Sequence, residues 1–550
     1  MAEITLIRRH RARALFRGTR LRRVPRPTTW LSLILWGMAA VVAGAVLLPT
    51  TYLLIRTLDA GTAAWAPVFQ ARTLRILGRT IWLAMTVTAT SAAIAVPLAW
   101  LTVRTDLPLR RMWAVLTALP LVIPSYVGAY LVVAALGPRG MVQQWLEGLF
   151  GISRLPDIYG FPGALLVLTL LSYPYTLLIV RAALLRMDPA LEEASRSLGY
   201  GPWVTFWRVT LPQLRPALAA GSLLVALYTL RDFGAVSIMR YNTFTRVIYI
   251  QYQSSFDRAA AAALALVLVA MTLGVLALEV HTQQRARYAR STGRTARAQP
   301  VIRLGRWRWP ALLFCATVVG VALVVPAGVL LYWLVRGVRT GQQFVPLWVA
   351  TRNSILASGL AAVATLMAAL PVAILNVRRP GRLSHVLERI TYTGFALPGV
   401  VIALALVFFG AHYARPLYQT LPMLILAYVL LFLPQAVGAV RASLLQVHPS
   451  LEETARSLGR RPWQVFTTIT VPLVWPGIAA GAGLVFLTTM KELPATLILG
   501  PLGFKTLATT VWSAVSEAFF AQAAAPALLL ILVSSLPIAL FILKEHREGI

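Results

Sequence analysis

Blocks of about 20 apolar residues recur along this 550-residue chain, and they limit its fold more than any other feature. As a helix, such a block spans the ~30 Å hydrocarbon layer of a bilayer. Twelve runs predict membrane helices, near residues 30–55, 79–102, 112–136, 161–182, 214–238 and 259–281, then 309–335, 353–376, 389–410, 421–440, 474–498 and 522–543. None alternates apolar with polar residues, so barrel strands are excluded; backbone groups in lipid must then be bonded within a helix. Pro124, Pro174, Pro398 and Pro434 fall inside runs and predict kinks. The expected fold is an all-α polytopic membrane protein.

Charge enters the argument twice. A formal charge of +33, from 51 Lys and Arg against 18 Asp and Glu, suggests a polyanion-binding protein. Yet 58% of residues are hydrophobic, only 13% are charged and the mean hydropathy is +0.73, which leaves no soluble surface for nucleic acid and predicts the lipid bilayer as partner. The single cysteine, Cys315, excludes a disulfide framework and any multi-cysteine metal site. No fixed metal site is expected.

The basic residues also set sidedness. Arg8 to Arg26 precede a first run too long for a signal peptide, with no small-residue cleavage site, so the run is expected to stay as a span. Twelve spans put both termini on one side, which then carries 35 of the 51 Lys and Arg against 16 on the other. That bias predicts a cytoplasmic location for both termini. The chain divides into a basic tail (1–28), a six-span half (29–282), a basic linker (283–308), a second six-span half (309–543) and a short tail (544–550). The linker holds eight Arg and no acid; it is read as a solvated segment that holds topology, with a lipid-headgroup or partner contact as the alternative.

Self-comparison shows why there are two halves. Residues 181–239 and 441–499 align without a gap at an offset of 260, with 27 of 59 positions identical. Both copies enter the repeat from the same side, so the halves are parallel repeats about an axis along the membrane normal, the arrangement of a transporter. The best-matched stretch is a polar loop between the fourth and fifth spans. In the first copy Asp188-Pro189 opens a short helix with Glu192 and Glu193 in its first turn, Gly199 ends it, and Pro202-Trp203 starts a second short helix that is expected to stop before Leu211-Pro212. Pro449, Glu452, Glu453, Gly459, Pro462-Trp463 and Val471-Pro472 repeat this. A loop matched between halves predicts one surface offered twice, suited to a two-fold soluble partner.

At these residues the chain resembles the permease subunits of ABC importers, whose loop reads Glu-Ala-Ala, three residues, Gly, nine residues, Ile-x-Leu-Pro. Here it is Glu193-Ala194-Ser195, Gly199 and Val209-Thr210-Leu211-Pro212, then Glu453-Thr454-Ala455, Gly459 and Ile469-Thr470-Val471-Pro472. Ser195, Thr454 and the valines depart slightly in bulk. The resemblance covers essentially the whole chain, since fused double-length permeases occur in the family. It implies that each loop forms a coupling helix seated on a cytoplasmic ABC ATPase dimer, and that an extracytoplasmic substrate-binding protein delivers the passenger. The lysines, Lys491, Lys505 and Lys544, all lack the preceding Gly of a phosphate-binding loop. The chain is therefore expected to be a transport subunit and no enzyme, with ATP and Mg bound by the partner. An ion-coupled secondary transporter and a non-transporting receptor are the rival classes; neither needs matched coupling loops.

Ionisable residues within spans mark candidate paths. Arg231-Asp232 and Lys491-Glu492 hold equivalent places in the two fifth runs, about 15 residues or ~23 Å from Pro216 and Pro476. A gate or substrate contact is one reading; mutual neutralisation or packing is the other. Thr489 to Thr496 with Gly503 to Thr509, and Arg231 to Gly234 with Tyr241 to Arg246 and Ile123 to Val127, resemble ferric-iron permeases in particular. Fused thiamine, aminophosphonate and polyamine permeases share the architecture and stay as alternatives. A ferric ion prefers oxygen ligands, which Asp232, Glu492, Asp257, Glu517, Tyr126, Tyr173 and Tyr175 are candidates to supply. Arg231 and Lys491 beside the acids suit a transient or chelated passenger better than a tight site.

Overall fold

A computed structural model of the chain describes residues 30–61, 65–66, 68–138, 140–151, 155–188, 190–254, 258–288, 301–342 and 347–547. The basic tail 1–28, linker residues 289–300 and Asp257 lie outside them. The described residues form helices and no strand; Thr105 and Ile302 make one isolated parallel bridge.

All twelve apolar runs hold helix. Among the described residues eight helices are long and apolar enough to cross a membrane, and ten if each of two bent pairs counts as one span. The other two runs are the helices Leu211–Arg231 and Phe520–Arg547. Two of the four prolines behave differently from the expected kinks. Pro174 and Pro434 stay inside continuous helices, Phe161–Arg186 and Leu421–Gln446. Pro124 and Pro398 instead cut the third span of each half in two, with arms that meet at 96° in the first half and 105° in the second. The preceding residues, Ile123 (ψ 123) and Leu397 (ψ 121), are extended, because a proline ring clashes with a helical residue before it. The fifth spans are broken as well: the helices end at Arg231 and Met490, and short helices Gly234–Ile238 and Pro494–Leu499 follow.

Each half is built on three helices packed side by side, its second, fourth and fifth spans. In the first half Thr90 meets Thr169 at 2.8 Å and Ser91 meets Ser172 at 3.2 Å, which ties the second span (Ala71–Arg104) to the fourth. The first spans do not follow the chain order of the halves. Trp30–Asp59 packs on its own sixth span and otherwise against Leu347–Arg378, Arg382–Thr393 and Gly399–Tyr413 of the second half. Reciprocally, the second half's first span (Arg308–Val319 continuing to Arg339) buries Cys315 and Ala322 beside Leu98, Tyr173 and Leu177 of the first half. The exchange holds the two halves along a common seam.

Candidate functional site

The broken third and fifth spans of both halves converge on that seam. Non-helical backbone is tolerated at membrane depth only where it is buried or lines a cavity, and here it lines a cavity of about 230 Å³. Arg231, Asp232, Lys491, Glu492, Tyr126 and Tyr175 all face it, so six of the candidate path residues come together. The carboxylates serve the local fold. Asp232 accepts from the amides of Ala235 (3.0 Å) and Val236 (3.2 Å), and Glu492 from that of Ala495 (3.2 Å), each capping the short helix after its break. Ser125 lines the cavity beside Asp232. Gly399 holds the corresponding place after Pro398, where a side chain would collide with the longer Glu492; Ser with Asp in one half becomes Gly with Glu in the other.

The cations do not neutralise their sequence neighbours. Arg231 donates to the carbonyl of Phe395 at 2.8 Å and Lys491 to that of Leu121 at 3.0 Å, each in the opposite half. Tyr173 and Glu517 do not join the site. Tyr173 is buried away from the cavity and donates to the Thr117 carbonyl at 2.7 Å; Glu517 is exposed at the end of Leu507–Ser516; Asp257 lies outside the described residues. Among the described residues no three His, Cys, Asp or Glu side chains are placed to hold a metal ion.

The matched loops form a second pair of sites. Ala190–Ser197 and Pro449–Ser457 are the short helices. Each ends at a glycine with positive φ, +84° at Gly199 and +85° at Gly459, where the next amide reaches back to the residue five earlier (Tyr200 to Ser195, Arg460 to Ala455). The second helix does not stop before the proline as the sequence suggests. Pro202–Thr205 runs through a π turn, Phe206–Thr210, straight into Leu211–Arg231, and Pro462–Val465 runs through Phe466–Thr470 into Val471–Met490. The wider turn accommodates Pro212 and Pro472, which lack an amide proton and would crowd the preceding turn of an α-helix. The loop is thus one rigid piece with the fifth span.

The paired glutamates of each loop have opposite fates. Glu193 and Glu453 are exposed, with Ala194. Glu192 is buried: Arg104, the last residue of the second span, reaches it at 3.1 Å and Thr210 of the π turn at 2.8 Å. Glu452 is held likewise by Arg378 at 2.8 Å and Thr470 at 3.1 Å. Ser195 bonds Thr205 at 3.0 Å, while the equivalent positions in the second loop, Ala455 and Val465, are both buried and apolar. Leu191, Leu198 and Trp203, and Leu451, Leu458 and Trp463, stay exposed on the two loops.

Residues 102–288 and 361–544, two segments that contain these loops and most of the cavity, match the model of the family described as binding-protein-dependent transport system inner membrane component. The chain belongs to this family. It is a permease subunit of an ABC importer, a transport component and not an enzyme. It is 36% identical over 525 residues to the Fe(3+)-transport system permease protein FbpB 2 of Haemophilus influenzae, covering 95% of this chain and 99% of the relative. The putative ferric transport system permease protein FbpB 1 of the same organism is 26% identical over 455 residues, 78% of this chain and 71% of the relative. The molybdenum transport system permease protein ModB of Escherichia coli is 32% identical over 181 residues, 32% of this chain and 78% of the relative.

Sequence reasoning on this permease missed Arg104, Arg378, Thr210 and Thr470, and the carbonyls of Leu121 and Phe395. A signal for the arginines exists: each stands 20 residues before the proline that breaks the third span, Arg104 before Pro124 and Arg378 before Pro398. The front parts of the halves therefore repeat at an offset of 274, distinct from the 260 of the loops.

Proposed function

We propose that this permease carries ferric iron, free or chelated, from an extracytoplasmic binding protein into the cytoplasm by alternating access along the seam between its halves. The observation that carries the reading is the cavity: both halves contribute equivalent broken spans to it, so a path there opens and closes by movement of one half against the other. The ferric substrate is supported by the near full-length likeness to permeases named for ferric transport. A cytoplasmic ATPase dimer, which binds ATP and Mg, docks on the two loops; their exposed leucines and tryptophans supply apolar knobs, and Glu193 and Glu453 supply charge. The Lys and Arg excess supports placing the loops and both termini in the cytoplasm of a bacterium, with the cavity toward the outer side.

The test is uptake of labelled ferric iron by vesicles holding the permease with its ATPase, supplied with the binding protein. Uptake should require ATP and the binding protein, and excess thiamine or molybdate should not compete. Uptake driven by a proton gradient without the ATPase overturns the importer mechanism; competition by thiamine or molybdate overturns the iron assignment.

A further inference from the structure

Two hydrogen bonds cross the seam beside the cavity, and they are the same bond made twice. Arg231 and Lys491 correspond at the 260 offset; Leu121 and Phe395 correspond at the 274 offset, each three residues before its span-breaking proline. Arg231 of the first half donates to the Phe395 carbonyl of the second at 2.8 Å, and Lys491 of the second donates to the Leu121 carbonyl of the first at 3.0 Å. We infer that this reciprocal exchange is the latch that keeps the outer end of the transport path closed in the resting permease, and that each transport cycle breaks both bonds. The inference rests on the seam being the path, as proposed above.

The chemistry favours a latch over simple packing. The receiving carbonyls belong to single 3₁₀ turns, Leu119–Val122 and Gly394–Ala396, that end at the proline breaks, so no following helical turn uses them and they are free to accept. The donors stand at the ends of the fifth-span helices, Arg231 as the last residue of one and Lys491 directly after Met490 in the other, and these helices continue unbroken through the π turns into the loops. A pull on a loop therefore moves a donor, while its acceptor sits on the opposite half. Charge-assisted bonds are roughly twice as strong as neutral ones, and a cation in the membrane without a partner is strongly disfavoured. The closed state is thus the default, and opening needs a substitute partner such as water or the passenger's own oxygens. The arms are unequal. The Arg231 guanidinium also lies over the Phe395 ring, 5.2 Å from its centre, whereas the Leu121 side chain offers Lys491 no ring.

Leu224 reports on the latch. It lines the cavity seven residues before Arg231 on the same helix, about 10 Å toward the loops, so a reagent from outside reaches it only past the latch. In full permease with ATPase, carrying Leu224→Cys in a Cys315→Ala background, a membrane-impermeant maleimide added from outside should label slowly. Arg231→Gln should raise the rate roughly tenfold, the scale of one charged hydrogen bond, with a smaller rise for Lys491→Gln and the largest for both. ATP hydrolysis without binding protein should rise in the same order. The exchange Arg231→Lys with Lys491→Arg keeps a donor on each arm and should label like the parent. Unchanged labelling in Arg231→Gln overturns the latch, as does fast labelling in the exchanged variant. Iron uptake is measured in parallel: its absence in the parent with faster labelling in the Gln variants rejects the iron reading and leaves the latch standing.

Discussion

Glu192 and Glu193 are neighbours of the same type in one short helix, yet the step of about 100° between adjacent helix residues sends them to opposite environments. Glu192 is 4% exposed against Arg104 and Thr210, whereas Glu193 faces solvent. Removing one partner of a buried ion pair leaves the other charge uncompensated, which costs about 3–5 kcal/mol. Glu192→Ala should therefore lower the temperature at which the purified permease loses its fold, measured by a melting assay in detergent. Glu193→Ala should leave that temperature in place and reduce binding-protein-stimulated ATP hydrolysis. A destabilised Glu193→Ala protein would contradict the assigned exposure. The same division of labour recurs at buried Glu452 and exposed Glu453, with the half-buried Arg378 as the partner.

At the scale of elements, a loop helix is joined rigidly to the fifth span and pinned by a carboxylate to the end of the second. Gly199 and Gly459 turn the chain within this unit. Nothing lies within 4 Å of where a Cβ would stand at either, so their requirement is conformational: positive φ is costly for any other residue. Gly199→Val with Gly459→Val should leave the membrane helices intact by circular dichroism but uncouple hydrolysis from uptake, giving ATP turnover with at least tenfold less iron per ATP, a loss on the scale of ~1.4 kcal/mol of coupling. Unchanged coupling in that protein would count against a coupling role for the loops. These loops were legible in the sequence because glycines, prolines and acids carry strong local preferences and occur twice. Arg104 was not, being 88 positions from Glu192, and a pairing that distant leaves no local pattern. The broken third spans were half legible: Pro124 and Pro398 marked a disturbance, but whether a proline kinks a helix or ends it depends on what receives the freed carbonyls, here Arg231 and Lys491.

At the scale of the whole molecule, the exchanged first spans make the halves interdependent. Separate polypeptides of residues 1–288 and 301–550 should be degraded when expressed singly, since each first span then loses its packing partners in the other half, and should co-purify when expressed together. Recovery of either piece alone as a stable, monodisperse protein would contradict that packing. The sequence by itself determined the membrane class, the rough position of the apolar helices, the repeat and the loops, because bilayer thickness, backbone hydrogen bonding and turn chemistry act over short stretches of chain. Only the tertiary structure decided which span packs on which half, and that Arg231 and Lys491 bond across the seam. The physical reason is common to both: within lipid an apolar face has no preference for protein over hydrocarbon that its sequence would reveal, and a backbone carbonyl is an acceptor that every residue carries alike.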